Sequence, residues 1–293
     1  MNLKITAVGT STASNSSIQL ATEAITSCLK KTNINRQEID YLINVGIYRD
    51  ENMVEPSMAA LIQKKSEINL DFIKFNTPVT TFSFDLMNGA SGAINAFHAA
   101  SNFMKTKDKN YCLVVSSDNH PGGQSDKNFP ITKCGGAFLL EKSKDTNKGF
   151  QNFYFTNTKD LEIGFEGFID LEEYTTSSRT NITIVQHANY IQKLSVFLGN
   201  EILAYMKKNQ LNVSNTLLIT TQQSSDFSFQ VAQIAGIPED QVISLKEFGN
   251  PHTSCFAVGF EHLLKQELAK KNQNVLFVGG TGGLSCSIAW YKL

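Results

Sequence analysis

The chain states one structural plan twice. TEAITSCLKKTNINRQEIDYLINVG (22–46) reads as an amphipathic helix, a Lys-Lys pair, a polar turn and a buried strand, and GNEILAYMKKNQLNVSNTLLITTQ (199–222) repeats that order. Each copy then reaches a glycine-containing turn that opens an apolar helix: NGASGAINAFHAASNFM (88–104) in the first, GNPHTSCFAVGFEHLLKQEL (249–268) in the second. Each closes on a strand, a glycine turn and another apolar strand. YCLVVSSDN leads to CGGAFLLEK, and NVLFVGG leads through TGG to SCSIAWYKL. A repeat of this kind restricts the chain to a duplicated unit whose copies share a core.

Short apolar runs rich in β-branched residues, alternating with helices, predict α/β layering with strands buried on both faces. Two such halves predict a pseudo-twofold arrangement, with two sheets packed around shared central helices and the turns before the two apolar helices pointing toward each other. The halves are expected at 1–148 and 182–293. The stretch 149–181, rich in Phe, Glu and Thr, is read as an insertion without a counterpart.

Composition narrows the functional classes. With 41% hydrophobic residues, 18% charged residues and a formal net charge of −1, the chain lacks the basic stripe of a nucleic-acid or anionic-membrane binder. No apolar run approaches the roughly 18 residues that span a bilayer, and the polar start has no signal-peptide core. The five cysteines, Cys28, Cys112, Cys134, Cys255 and Cys286, are dispersed without a CxxC pair, which fits reduced thiols and a cytoplasmic location. His98, His120, His187, His252 and His262 show no ligand spacing, so no metal is expected.

Candidate chemistry lies at the turns. Free N–H groups and a positive dipole end at a helix start suit a thiolate or an anion. Yet the centre of FDLMNGASGAINAF (84–97) is Ala90, and Ser91 is expected to cap or pack. In ITTQQSSDFSFQVA (219–232), which follows a buried strand, Thr220, Thr221, Gln222, Gln223, Ser224 and Ser225 offer hydrogen bonds without a good base, and Ser224, Ser225 or Asp226 is expected as an N-cap. In GNPHTS (249–254), Asn250 could orient a carbonyl or hold a turn, and His252 could act as a base. TGG (281–283) permits close backbone approach, either to supply an oxyanion N–H or to let two halves pack. Its counterpart CGG (134–136) is expected to be structural, and His187 in QHAN (186–189) to belong to a helix start.

The order of these segments resembles the thiolase superfamily, specifically the β-ketoacyl-ACP synthase III group, over nearly the whole chain. EIDYLINVGIYRDENMVEPSMAALIQKK resembles that group's strand, Pro-Ser turn and interface helix. FDLMNGASGAINAF resembles its nucleophile segment, and FGNPHTS with TGGLSCSIAW its C-terminal signature. The resemblance implies a five-layered αβαβα fold, an obligate dimer, and condensation of an enzyme-bound acyl group with malonyl-ACP. It carries the acylated Cys onto Ala90, the His onto Thr221 and the Asn onto Asn250. The oxyanion donors fall on the backbone N–H groups of Ala90 and Gly283. The usual Trp- and Arg-containing segment is missing, since VGTSTASNSSIQLATEA passes almost directly from strand to helix and the single Trp is Trp290. No cofactor is implied. The expectation is therefore a catalytically silent subunit that resembles a chain-length factor of polyketide or fatty-acyl synthesis. It would pair with an active ketosynthase homologue in a heterodimer or heterotetramer and meet acyl carrier protein or an acyl thioester. The alternative is an acyltransferase or thioesterase-like enzyme using Ser91 and His252.

Overall fold

Strands of this chain segregate into two main sheets because each copy of the repeat supplies its own set. The computed structural model describes residues 2–70, 80–106, 108–124, 126–158, 164–170, 178–269 and 273–293. The first sheet has the order β1 (Asn2–Ser11), β5 (Cys134–Ser143), β4 (Tyr111–Asp118), β2 (Tyr41–Asn44), β3 (Phe82–Asp85). Strands β4, β2 and β3 run parallel, while β5 is antiparallel to both β1 and β4. The second sheet has the order β6 (Gly149–Asn157), β11 (Ser285–Lys292), β10 (Asn274–Thr281), β9 (Thr216–Thr220), with only β9 and β10 parallel. A bridge from Leu218 to Val242 stands where the first sheet has β3.

Six helices among the described residues fill the layers: α1 (Ser17–Leu29), α2 (Met58–Lys65), α3 (Gly92–Phe103), α4 (Tyr190–Lys208), α5 (Phe227–Ala235) and α6 (Cys255–Lys265). Alternation along the strands directs residues to opposite faces. In β9 and β10, Leu217, Ile219, Val275 and Phe277 face the centre, whereas Leu218, Leu276 and Val278 face outward. The central core holds Ile94 and Phe97 of α3 with Phe256 and Phe260 of α6, between Val114 and Phe138 of one sheet and Phe277 of the other. Helices α1 and α2 cover the outer face of the first sheet through Ile25, Met58 and Ile62. Helices α4 and α5 cover the second through Leu198, Ile202 and Val231. The result is a five-layered αβαβα stack, as expected. Gly136 lets α6 approach closely, since a Cβ there would strike Ala257.

The stretch 149–181 divides differently from its reading as an insertion. Its first part is β6, the outer strand of the second sheet and the counterpart of β1, so the second half begins at Gly149 rather than at residue 182. The alternation in GFQNFYFTN buries Phe150 against Phe97 and Tyr291. What lacks a counterpart comes later: a hairpin of β7 (Phe165–Phe168) and β8 (Thr183–Gln186). Residues 159–163 and 171–177 of this stretch lie outside the described residues.

Candidate active site between the two helix-opening turns

In a parallel sheet, ligand sites form beyond the carboxyl ends of the strands. Here those ends are Asp85, Asp118, Thr220 and Thr281 of β3, β4, β9 and β10. The turns that open α3 and α6 follow the same backbone path. Gly89, three residues before α3, has φ +47, and His252, three residues before α6, has φ +45. Left-handed backbone suits Gly89, and a side chain there would strike Thr281 at the end of β10. At residue 252 the same conformation is imposed on a histidine, which is uncommon for a residue with a Cβ.

In the first turn, Ala90 is 2% exposed and presents only a methyl group. Ser91 precedes α3 without a capping hydrogen bond from its side chain. Its hydroxyl is fully buried without a partner and lies against Gly279 of β10, where a Cβ would collide with it. No hydrogen bond joins Ser91 to His252 among the described residues. The other half contributes Thr221, whose N–H donates to Val278 O at 3.0 Å and whose hydroxyl accepts from Gly280 N at 3.4 Å. Gln222 donates to Ser224 O and Ser225 O, while its Oε1 is buried and unpartnered. Asp226 holds the N-cap position of α5 without a capping hydrogen bond from its side chain, which pairs instead with Lys246 at 3.6 Å. Gly283 turns with φ +86, next to Gly282, which packs on the backbone of Phe165 in the β7–β8 hairpin. His187 precedes α4, its carbonyl accepting from Tyr190 N.

Asn250 is engaged within its own turn. Its N–H donates to Thr132 Oγ1 at 3.1 Å, its carbonyl accepts from Thr132 N at 2.8 Å, and its Oδ1 accepts from His252 N at 3.1 Å. This is an Asx turn, the geometry that suits Asn before a sharp bend.

Sequence reading singled out His252 but not its partner. Asp118, fully buried at the end of β4, lies 3.0 Å from His252 Nδ1 through its Oδ2. The same oxygen accepts from Thr253 N at 3.1 Å and Thr253 Oγ1 at 2.5 Å. Oδ1 accepts from Ile47 N at 2.9 Å and Tyr48 N at 2.8 Å. Burial alone would raise the Asp118 pKa. The charge and hydrogen bond of His252, with the bonds from Thr253 and Tyr48, outweigh it and hold the carboxyl below its ordinary value. An ionised carboxylate only accepts, so the network assigns the proton to Nδ1 of His252. Nε2 is left without a protein partner among the described residues. The Tyr48 ring packs 5.4 Å from the imidazole and edge-on to Phe129, which lines a polar cavity of about 490 Å³ with Asn119, His120 and Lys133. An acidic residue closing the buried strand YCLVVSSD was the available signal; only the fold shows that it meets residue 252.

No cysteine stands ready as a thiolate. All five are buried, and burial pushes the Cys28 and Cys134 thiols up to about 12 and those of Cys112, Cys255 and Cys286 higher still. Cys255 begins α6, and there burial overrides the helix start. Among the described residues, no group of three His, Cys, Asp or Glu side chains is arranged to hold a metal ion, and no helix is long and apolar enough to cross a membrane.

Comparison with known proteins gives a consistent picture. The family model for the C-terminal domain of 3-oxoacyl-[acyl-carrier-protein] synthase III matches residues 206–293. The β-ketoacyl-[acyl-carrier-protein] synthase III of Clostridium botulinum (strain Kyoto / Type A2) is 21% identical over 285 residues, covering 93% of this chain and 84% of its own. The protein of that name from Ehrlichia ruminantium is 23% identical over 292 residues, covering 94% and 83%. Among solved structures, 3-oxoacyl-[acyl-carrier-protein] synthase III from Aquifex aeolicus superposes over 100% of both chains with a TM-score of 0.81 at 16% identity. A variant of OleA from Xanthomonas campestris superposes over 100% of this chain and 99% of its own with a TM-score of 0.82, also at 16% identity.

Proposed function

We propose that this chain, which shares the fold of β-ketoacyl-ACP synthase III and matches that family's C-terminal model, is a member of that thiolase-like family and serves within it as a subunit that forms no acyl-enzyme and works beside a cysteine-bearing homologue. The observation that carries this reading is Ala90: where the resemblance puts the acylated cysteine, the turn before α3 holds a buried methyl group. Without a nucleophile there is no covalent intermediate. Thr221, at the position given to the histidine, has no imidazole to offer. The partner subunit would contribute Cys, His and Asn, while this chain would stabilise the pair, shape the acyl site and meet an acyl thioester or acyl carrier protein.

The open edge of the first sheet supports pairing. Among the described residues, strand β3 has a hydrogen-bonded neighbour on one side only, and Phe82 is 59% exposed and Met87 54% exposed beside it, with Phe103 close by on the Tyr41–Phe84 aromatic cluster. An unpaired edge flanked by exposed apolar side chains is a surface that asks for cover. Co-expression with a cysteine-bearing family member from the same genome, followed by affinity capture and native mass spectrometry, tests the reading. A stoichiometric heterodimer or heterotetramer is expected. A homodimer as the only native species overturns it. One observation favours chemistry beyond scaffolding, the Asp118–His252 pair.

A further inference from the structure

Five hydrogen bonds converge on one buried carboxylate, and one of them comes from an imidazole whose other nitrogen has no partner among the described residues. We propose that Asp118 is a positioning residue that fixes His252 in the Nδ1–H tautomer, so that His252 Nε2 is a proton-transfer group retained by a chain that lacks the covalent nucleophile.

The geometry separates this pair from a simple structural clamp. Three of the carboxylate's bonds, from Ile47 N, Tyr48 N and Thr253 N, already tie the loop after β2 and the start of α6 to the end of β4. The imidazole is not needed for that tie. Nor does the bend require it, because Gly and Asn also adopt a positive φ. A carboxylate bonded to one imidazole nitrogen orients the ring and fixes which nitrogen carries the proton. Neither Ser91, turned to Gly279, nor Asn250, closed on its own turn, is hydrogen-bonded to Nε2.

The substrate class rests on the family reading above: an acyl thioester held without a covalent link. The balanced step is hydrolysis. His252 Nε2 takes a proton from water, the water oxygen bonds to the thioester carbonyl carbon, and the carbon–sulfur bond breaks. The departing thiolate then receives the proton from His252, leaving a carboxylic acid and a free thiol.

Two measurements on the full chain test this. Imidazole nitrogen NMR at pH 8 on histidine-labelled protein, with the His252 signals assigned by their loss in His252→Asn, reads the tautomer directly. The Nδ1–H form is expected in the wild type and should be lost in Asp118→Asn. Hydrolysis of octanoyl-N-acetylcysteamine, followed by thiol release, is expected above the buffer rate and lower by on the order of 10²-fold in both variants. His252→Asn keeps a donor toward Asp118 and suits a positive φ, so it folds even where Asp118→Asn does not. An Nε2–H tautomer in the wild type, a wild-type rate equal to buffer, or an unchanged rate in His252→Asn would each overturn the proposal. Failure here leaves the partner reading intact where His252→Asn still co-purifies with the cysteine-bearing homologue.

Discussion

Replacing Ala90 by cysteine would put a sulfur atom in the turn before α3, where the residue at the position given to the histidine is Thr221. Thr221 offers a hydroxyl that already accepts from Gly280 N. Ala90→Cys alone is therefore expected to acylate slowly with an octanoyl thioester. Ala90→Cys combined with Thr221→His should acylate faster by on the order of 10²-fold, read by intact-protein mass. If the double variant gains no acyl group, residues 90 and 221 are not the nucleophile and base positions of this fold. The site's individual residues were legible in unequal measure. Ala90, Thr221 and His252 stood out because they sit at punctuated turns. The opposing roles of Asn250 and Ser91 could not be decided from sequence, because each depends on where a side chain points within a left-handed or buried turn. The structure closes Asn250 on His252 N and buries the Ser91 hydroxyl against Gly279.

Among the elements, period and capping carried most of the information. The apolar helices α3 and α6 and the buried strands β9 and β10 lie where their patterns put them, because a strand buried on both faces can hardly be written in other residues. Strand β6 was missed for a physical reason. Its aromatic alternation belongs to an outer strand with one face on the core, and without its partner β11 the same letters look like an insertion. Strand β3 is four residues long and, among the described residues, pairs only with strand β2, so its outer edge and the exposed Phe82 decide what it does next. Phe82→Lys with Met87→Lys is expected to leave the helical content unchanged and to convert the native assembly to monomer, read by circular dichroism and native mass spectrometry. Edge lysines act by charge and desolvation, without disturbing the buried layers. An assembly that survives both substitutions would place its contact elsewhere.

At the scale of the molecule, the two halves are joined by the shared layer of α3 and α6 and by Asp118, which comes from the first half and binds His252 and Thr253 of the second. That junction spans 134 residues of sequence between Asp118 and His252, which is why no local pattern foretold it. The five-layered plan was legible because duplication leaves a trace along the chain; a contact between the copies leaves none. The junction also carries a pH dependence. The folded-state pKa of Asp118 lies below its unfolded value near 3.9, so its contribution is fully present above that value and is lost as pH falls through the folded pKa. Stability measured by urea denaturation between roughly pH 6 and pH 2 should fall more steeply in the wild type than in Asp118→Asn. Equal slopes would mean that the pair contributes nothing to joining the halves.

The matched turns at Gly89 and His252 also set the two halves apart. Two copies of one unit began with the same bend, and the first copy holds it with the residue that fits at no steric cost. Glycine or asparagine would serve the second bend equally well, since both adopt a positive φ. With histidine there, the second bend carries an imidazole seated on a buried carboxylate, an ionisable group that the first bend, closed on glycine, does not have.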